Sequence, residues 1–262
     1  MSLKNLIVAN WVKTNPRYNF QMLETLLKLQ IENSIELGWD LKDLIVLANF
    51  DYEFMGIRTT NIPLNEICFT GSKMWGIKWL LENTDGDTIW SHDLDAIQNS
   101  DFTLPEFKDV GIATYSTSKM NGGSVFWRKT AKDIIDEVVK EIIENKLERE
   151  EPILNKILNK YKDRLTILNY TYNVGCSGFM TRYLWADKPV KVVHCHPTNR
   201  IAWETHALDR SGLGITISPR LEKLIRKYYP DLATELSEKG SKRRAEKIRR
   251  IHEKVAKGSS KD

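Results

Sequence analysis

Cysteine is scarce in this sequence. Its three cysteines, Cys68, Cys176 and Cys195, are odd in number and widely spaced, which excludes a disulfide framework, argues against a Cys-rich zinc site and fits a reducing compartment. Long apolar runs are missing too. No stretch approaches the ~20 residues a membrane helix needs, and the opening MSLKNLIVANW has too short an apolar segment for a signal peptide. These absences predict a soluble, cytoplasmic protein.

What is present suffices for a core. A chain of 262 residues, 41% of them hydrophobic, makes one large domain or one domain with an appendage. The net charge of +4 conceals a division: residues 220–262 hold 14 Lys/Arg against 7 Asp/Glu, whereas residues 1–219 hold 25 against 28. The expected organisation is a slightly acidic domain over 1–219 and a basic helical extension over 220–262.

Leu6 to Ala9 (LIVA) and Leu44 to Ala48 (LIVLA) are apolar runs of buried-strand type. Between them, apolar residues at 23, 26, 27, 31 and 35 mark an amphipathic helix from Phe20 to Leu37, stopped by Gly38. Strand, helix, strand in ~45 residues is the signature of a parallel α/β unit. Asn61 to Phe69 reads equally as strand or loop. Further along, Val110 to Thr114 reads as a strand, and Thr130 to Leu147 as a helix opened by a capping box of Thr130 and Asp133. Leu165 to Gly175 reads as a strand leading to a loop, and Leu221 to Tyr228 as the start of a helix. Ser241 to Lys257 is a strongly basic helix with Ala245, Ile248, Ile251 and Val255 as its apolar stripe. It either packs on the body with a solvated basic face or offers that face to a polyanion.

The stretch that carries chemistry is Asp87 to Gln98, DTIWSHDLDAIQ. An apolar run, Thr88 to Trp90, ends in two carboxylates one residue apart, and in an extended or tightly turned segment Asp93 and Asp95 can face one side and close on one hard cation. A helix from Gly71 to Asn83, with Met74, Ile77 and Leu81 on one face, and a turn at Asp85 to Asp87 lead into it. Downstream, Lys191 to His196 (KVVHCH) alternates, so that His194 and His196 share a face.

These stretches together resemble the glycogenin-like glycosyltransferases, glycosyltransferase family 8, which have the GT-A fold. The resemblance rests on an ordered set: SKMWGIKWLLENTDGDTIWSHDLDAIQ, then Asn121-Gly122-Gly123 before Val125-Phe126, then EEPILN at Glu150 to Asn155, then VVHCHPTNRIAW at Val192 to Trp203. It covers roughly Leu6 to Trp203. It implies a mostly parallel central sheet with helices on both faces, and metal-dependent transfer of a sugar from a nucleoside diphosphate sugar, a UDP-sugar above all, to a hydroxyl acceptor. Retention of anomeric configuration is implied as well.

By this resemblance Asp93, Asp95 and His194 hold Mn²⁺ or Mg²⁺, with His196 open as the alternative third ligand. An imidazole beside two carboxylates suits Mn²⁺ better than Ca²⁺. Lys73 and Arg200 match basic donor contacts, although Lys73 read by itself is a solvated surface lysine. Asn121, Gly122 and Gly123 match a donor-binding element, and a plain Asn-Gly hairpin turn is the other reading. Glu150 and Glu151, which suit a helix start on physical grounds alone, match residues that reach the transferred sugar or acceptor; with Asp95 they are the catalytic candidates. Asn10 and Trp11 follow the first strand, where ligands of open α/β sheets sit, and are candidates for the base pocket, with a core-capping Trp equally open. No Gly-rich, basic triphosphate loop near Asn10 supports a nucleotidyltransferase. A polysaccharide, a protein, a lipid-linked sugar or a hydroxylated DNA base is open as acceptor, and the basic extension puts DNA first.

Overall fold

The computed structural model describes residues 3–13, 19–64, 70–114, 119–147, 149–175, 185–194 and 217–229. The expected first unit forms as strand β1 (Leu3–Ala9), helix α1 (Phe20–Glu36) and strand β2 (Leu44–Ala48). Asn19 caps α1 by accepting the Met22 N–H, and Gly38, at φ 78°, takes the left-handed turn beyond its end. The strands pair in parallel with Ala9 opposite Ala48, so Asn10 and Asn49 leave the sheet side by side.

A small hairpin of β3 (Glu53–Phe54) and β4 (Ile57–Arg58) follows, and β5 (Thr60–Asn61) adds to β2 in parallel. Asn61 is thus strand, while residues 65–69 lie outside the described set. Helix α2 (Ser72–Asn83) then delivers β6 (Thr88–His92) to the other side of β1, also parallel. The chain continues through β7 (Ala96–Gln98), β8 (Val110–Thr114), β9 (Met120–Arg128), α3 (Lys132–Glu144) and α4 (Glu151–Lys160). After these come β10 (Leu165–Ile167), β11 (Val174–Gly175), β12 (Val192–His194) and α5 (Pro219–Tyr228).

The main sheet has seven strands in the order β10-β8-β9-β6-β1-β2-β5. Within this sheet, among the described residues, β9 alone runs against its neighbours, β6 and β8. A second sheet, β11-β12-β7, stands beside it. Alternation along the strands builds a core on each face. Leu6, Val8, Ile89, Val125 and Trp127 pack with α2, α3 and α4, while Ile7, Ala9 and Val46 pack with Leu23, Leu27 and Ile31 of α1. The predicted α/β sheet with helices on both faces is what the chain forms.

Two local expectations are corrected. Thr130 does not cap a helix: it lies in a 3-10 turn, Lys129–Ala131, and its hydroxyl donates to Asp109. Asp133 ion-pairs with Arg164 at 2.6 Å, and Arg164 also holds Asp109, so this network takes both capping groups. Asn121 to Gly123 is not a hairpin turn either, because all three residues lie inside β9.

Helix α5, at the junction of the expected domain and extension, lies against α1. Leu221, Leu224 and Ile225 join Leu29, Ile97, Val174 and Val193 in one buried cluster, and Lys227 and Tyr228 both reach Glu32. The basic helix expected over 241–257 falls outside the described residues. No helix among the described residues is long and apolar enough to cross a membrane.

Candidate metal and donor site

The carboxyl ends of β1, β2 and β6 share one edge of the main sheet, and the acids lie there. Beyond His92 the Asp93 N–H donates to Gly123 O at 2.9 Å, continuing the β6–β9 ladder by one step. The Ala96 N–H then donates back to Asp93 O at 2.9 Å, closing a tight turn. Gln30 of α1 holds this turn from behind, its amide donating to Leu94 O and Ala96 O, both at 2.9 Å. The turn projects Asp93 and Asp95 together, as their spacing predicted. Strand β12 pairs antiparallel with β7, His194 opposite Ala96, and that register brings His194 from a hundred residues downstream to the same point.

His194 Nε2 lies 3.2 Å from Asp95 Oδ1 and 3.5 Å from Asp93 Oδ2. One ligand atom from each of the three residues lies within 4.8 Å of the others. Two carboxylate oxygens and an imidazole nitrogen at that separation could hold a divalent cation. Asp95 and His194 are buried, and Asp93 is partly open. Burial opposes charge on His194, yet Asp95 and then Asp93 outweigh it and raise its pKa above 6.5.

Gly123 makes this placement possible. A Cβ built there would lie 2.3 Å from His194 Nδ1 and 2.4 Å from Cε1. The glycine is thus a bare surface against which the imidazole lies.

Lys73, the second residue of α2, is not a solvated lysine. It is 4% exposed, and its ammonium contacts Asp93, Gly122 O at 2.7 Å and Glu150 Oε1 at 3.3 Å. Three acceptors take its three N–H donors. Burial penalises the charge, but Asp93 and Glu150 more than offset that and raise its pKa.

The opposite wall comes from the start of α4. Asn155 accepts the Met120 N–H at 2.8 Å and donates to Met120 O at 3.1 Å, tying α4 to the first residue of β9. Glu150 and Glu151 are thereby delivered beside Asn121, whose Nδ2 donates to Glu151 Oε1 at 3.2 Å. Burial, and then the Glu150 charge, raise the Glu151 pKa above its usual 4.5. Asn121 Oδ1 accepts from the Gly123 N–H at 2.9 Å and from Asn173 Nδ2.

Asn10 is buried at the end of β1, whereas Trp11 is 39% exposed. Trp11 therefore does not cap the core. Arg200 and His196 lie outside the described residues.

The structure thus gathers Asp93, Asp95, His194, Lys73, Asn121, Gly122, Gly123, Glu150 and Glu151 into one cluster, with Asn10 and Trp11 on the same edge, at the end of β1, the strand next to β6. Gln30 and Asn173 were not singled out in the sequence. Gln30 left a signal, a polar residue amid the buried positions of α1; Asn173 left none of its own within the stretch from Leu165 to Gly175.

No protein-family model and no curated protein sequence matches this chain. Solved structures do. The galactosyltransferase LgtC, determined with donor and acceptor sugar analogues, matches with a TM-score of 0.50 and 13% identity over 90% of this chain and 96% of its own. The glycosyltransferase GlyE of Streptococcus pneumoniae TIGR4 matches with a TM-score of 0.53 and 14% identity over 91% of this chain, which spans 64% of GlyE. The apo form of GlyE gives 0.54 and 13% over 92% of this chain. The architecture is that of a GT-A fold.

Proposed function

We propose that this chain is a glycosyltransferase that moves a sugar from a nucleoside diphosphate sugar, a UDP-sugar by preference, to a hydroxyl acceptor with the help of Mn²⁺ or Mg²⁺. The observation that carries the reading is the convergence of Asp93, Asp95 and His194 within 4.8 Å at the carboxyl edge of a GT-A sheet. A divalent cation held there would neutralise charge building on the leaving diphosphate.

The other roles follow from position. Trp11 and Asn10 would receive the nucleoside, because the sheet order puts the end of β1 next to that of β6, about 4.8 Å per strand away. Asn121, Gly122 and Gly123 would border the diphosphate and sugar. Glu150 and Glu151 offer carboxylates to the hydroxyls of the transferred sugar and the acceptor. Lys73 would act on the donor by holding Asp93 and Glu150, its own donors being taken. Arg200 stays the proposed basic partner of the diphosphate on the strength of its motif. Retention belongs to the same proposal and names no nucleophile, since front-face attack assisted by the donor needs none.

For the acceptor, the basic extension favours a polyanion, with DNA bearing a hydroxylated base ahead of a glycan or protein. Counterion release would make it a general phosphate binder whose grip weakens steeply with salt. Deleting the chain beyond Leu236 should abolish DNA retention at low salt and leave donor hydrolysis intact; retention by both forms or by neither removes DNA from the proposal.

The test of the activity is a panel of nucleoside diphosphate sugars scored for Mn²⁺-dependent hydrolysis. Release of the diphosphate that EDTA stops supports the reading. Consumption of a nucleoside triphosphate with a sugar phosphate, in its place, would make the chain a nucleotidyltransferase. DNA binding without any donor turnover would make it a non-catalytic binder.

A further inference from the structure

Trp11 is held by contacts that the proposed metal centre does not require. Its peptide is closed by a side chain from the neighbouring strand: the Trp11 N–H donates to Asn49 Oδ1 at 2.8 Å, and Asn49 Nδ2 donates to Trp11 O at 2.8 Å. Asn49 can do this because Ala9 and Ala48 are paired in register, so the residues after them leave the sheet together.

The ring is set by a row of aromatic side chains. Phe20 meets Trp11 edge-on at 5.3 Å, Phe50 meets Phe20 at 5.2 Å, and Tyr52 meets Phe50 at 6.4 Å. Each support is anchored. Phe20 opens α1 directly after its Asn19 cap, and buried Thr59 donates to Phe50 O at 3.1 Å and accepts from the Tyr52 N–H at 2.9 Å. An indole 39% exposed, edge-supported and fixed at its peptide, is a preorganised flat surface.

We propose that Asn49 is the residue that positions the nucleobase platform of the donor site, and that its carboxamide, by engaging both the N–H and the C=O of Trp11, presents Trp11 to a base through its ring. This rests on the reading of the chain as a nucleoside-diphosphate-sugar transferase. Two consequences follow. Asn49 supports the base and not the diphosphate, so its removal weakens ligands that carry a base and spares those that do not. The contribution of Trp11 does not discriminate between bases, because every base has a π-face.

The experiment is calorimetry in Mn²⁺ with three probes, UDP, GDP and inorganic pyrophosphate, on the full chain and on Asn49→Ala, Asn49→Asp and Trp11→Ala. Melting temperature and Mn²⁺ binding serve as folding controls. Stacking on one aromatic ring is lost as about tenfold or more in affinity. Asn49→Ala should therefore weaken UDP and GDP alike, with pyrophosphate within about twofold. Asn49→Asp, which keeps the acceptor but turns a carboxylate oxygen toward Trp11 O, should resemble Asn49→Ala. Trp11→Ala should cost UDP and GDP equally. If Asn49→Ala leaves UDP binding intact, or weakens pyrophosphate as much as UDP, the proposal is overturned while the transferase reading stands. If the Trp11→Ala loss differs strongly between UDP and GDP, the claim that Trp11 meets the base through its ring fails. If the unaltered chain binds none of the three with Mn²⁺, the transferase reading falls and this inference with it.

Discussion

Gly123 decides whether His194 can reach the two aspartates. Its missing Cβ is what lets the imidazole lie 3.2 Å from Asp95 and 3.5 Å from Asp93. Gly123→Ala should lower Mn²⁺ affinity tenfold or more, about 1.4 kcal/mol or above, as read by calorimetry, while circular dichroism stays unchanged. Unaltered Mn²⁺ affinity would remove His194 from the ligand set. His92, next to Asp93, gives a pH signature. It is buried, its ring stacked on Trp90 at 4.2 Å with Nε2 2.9 Å from Asn5 Oδ1, and burial pulls its pKa from 6.5 down to about 4. The unfolded chain takes up this proton below 6.5 and the folded chain does not until about 4. Its contribution to stability is therefore complete above 6.5 and is lost as pH falls toward 4, by on the order of 3 kcal/mol. Urea denaturation in EDTA should show a flatter profile for His92→Gln across that window, and an equal slope would contradict the assignment.

Among the elements, α2 both positions Lys73 and packs against β1 through a glycine. A Cβ at Gly76 would lie 2.6 Å from Val8 Cγ2. Ala is the better helix former by up to ~1 kcal/mol, but overpacking a filled core costs roughly 1 to 3 kcal/mol. Gly76→Ala should thus lower stability by about 1 kcal/mol on balance, measured by chemical denaturation; a gain would show that Val8 yields freely. The elements were the most legible part of the sequence. LIVA and LIVLA gave strands because both their faces are buried, and the apolar positions of α1 recur at helical spacing. The capping box at Thr130 failed because Asp109 and Arg164 took its two members. Local motifs cannot report a competitor that lies 21 or 31 residues away.

Across the whole molecule, the sequence held the composition of the site but not its assembly. Asp93 and Asp95 were readable from their spacing, yet His194 arrives only through the pairing of β12 with β7, and Lys73 is buried only because α2, β9 and α4 close around it. The fate of residues 219–228 was equally hidden. The basic composition beyond 220 suggested an extension, and the apolar residues within its described part, Leu221, Leu224 and Ile225, complete a core with α1 and the small sheet. Leu221→Ala should cost about 2 to 5 kcal/mol, which a large drop in melting temperature would show; a surface-like cost below ~0.5 kcal/mol would detach α5 from the core.

The central claim is that Asp93, Asp95 and His194 hold a cation that in turn holds the donor. Without a cation, two carboxylates should repel a diphosphate. Isothermal titration of UDP into the chain with Mn²⁺, with EDTA, and into Asp95→Ala with Mn²⁺ tests it most directly. The account predicts binding in the first titration and its loss, by at least about tenfold, in the other two. Equal affinity in all three would contradict it.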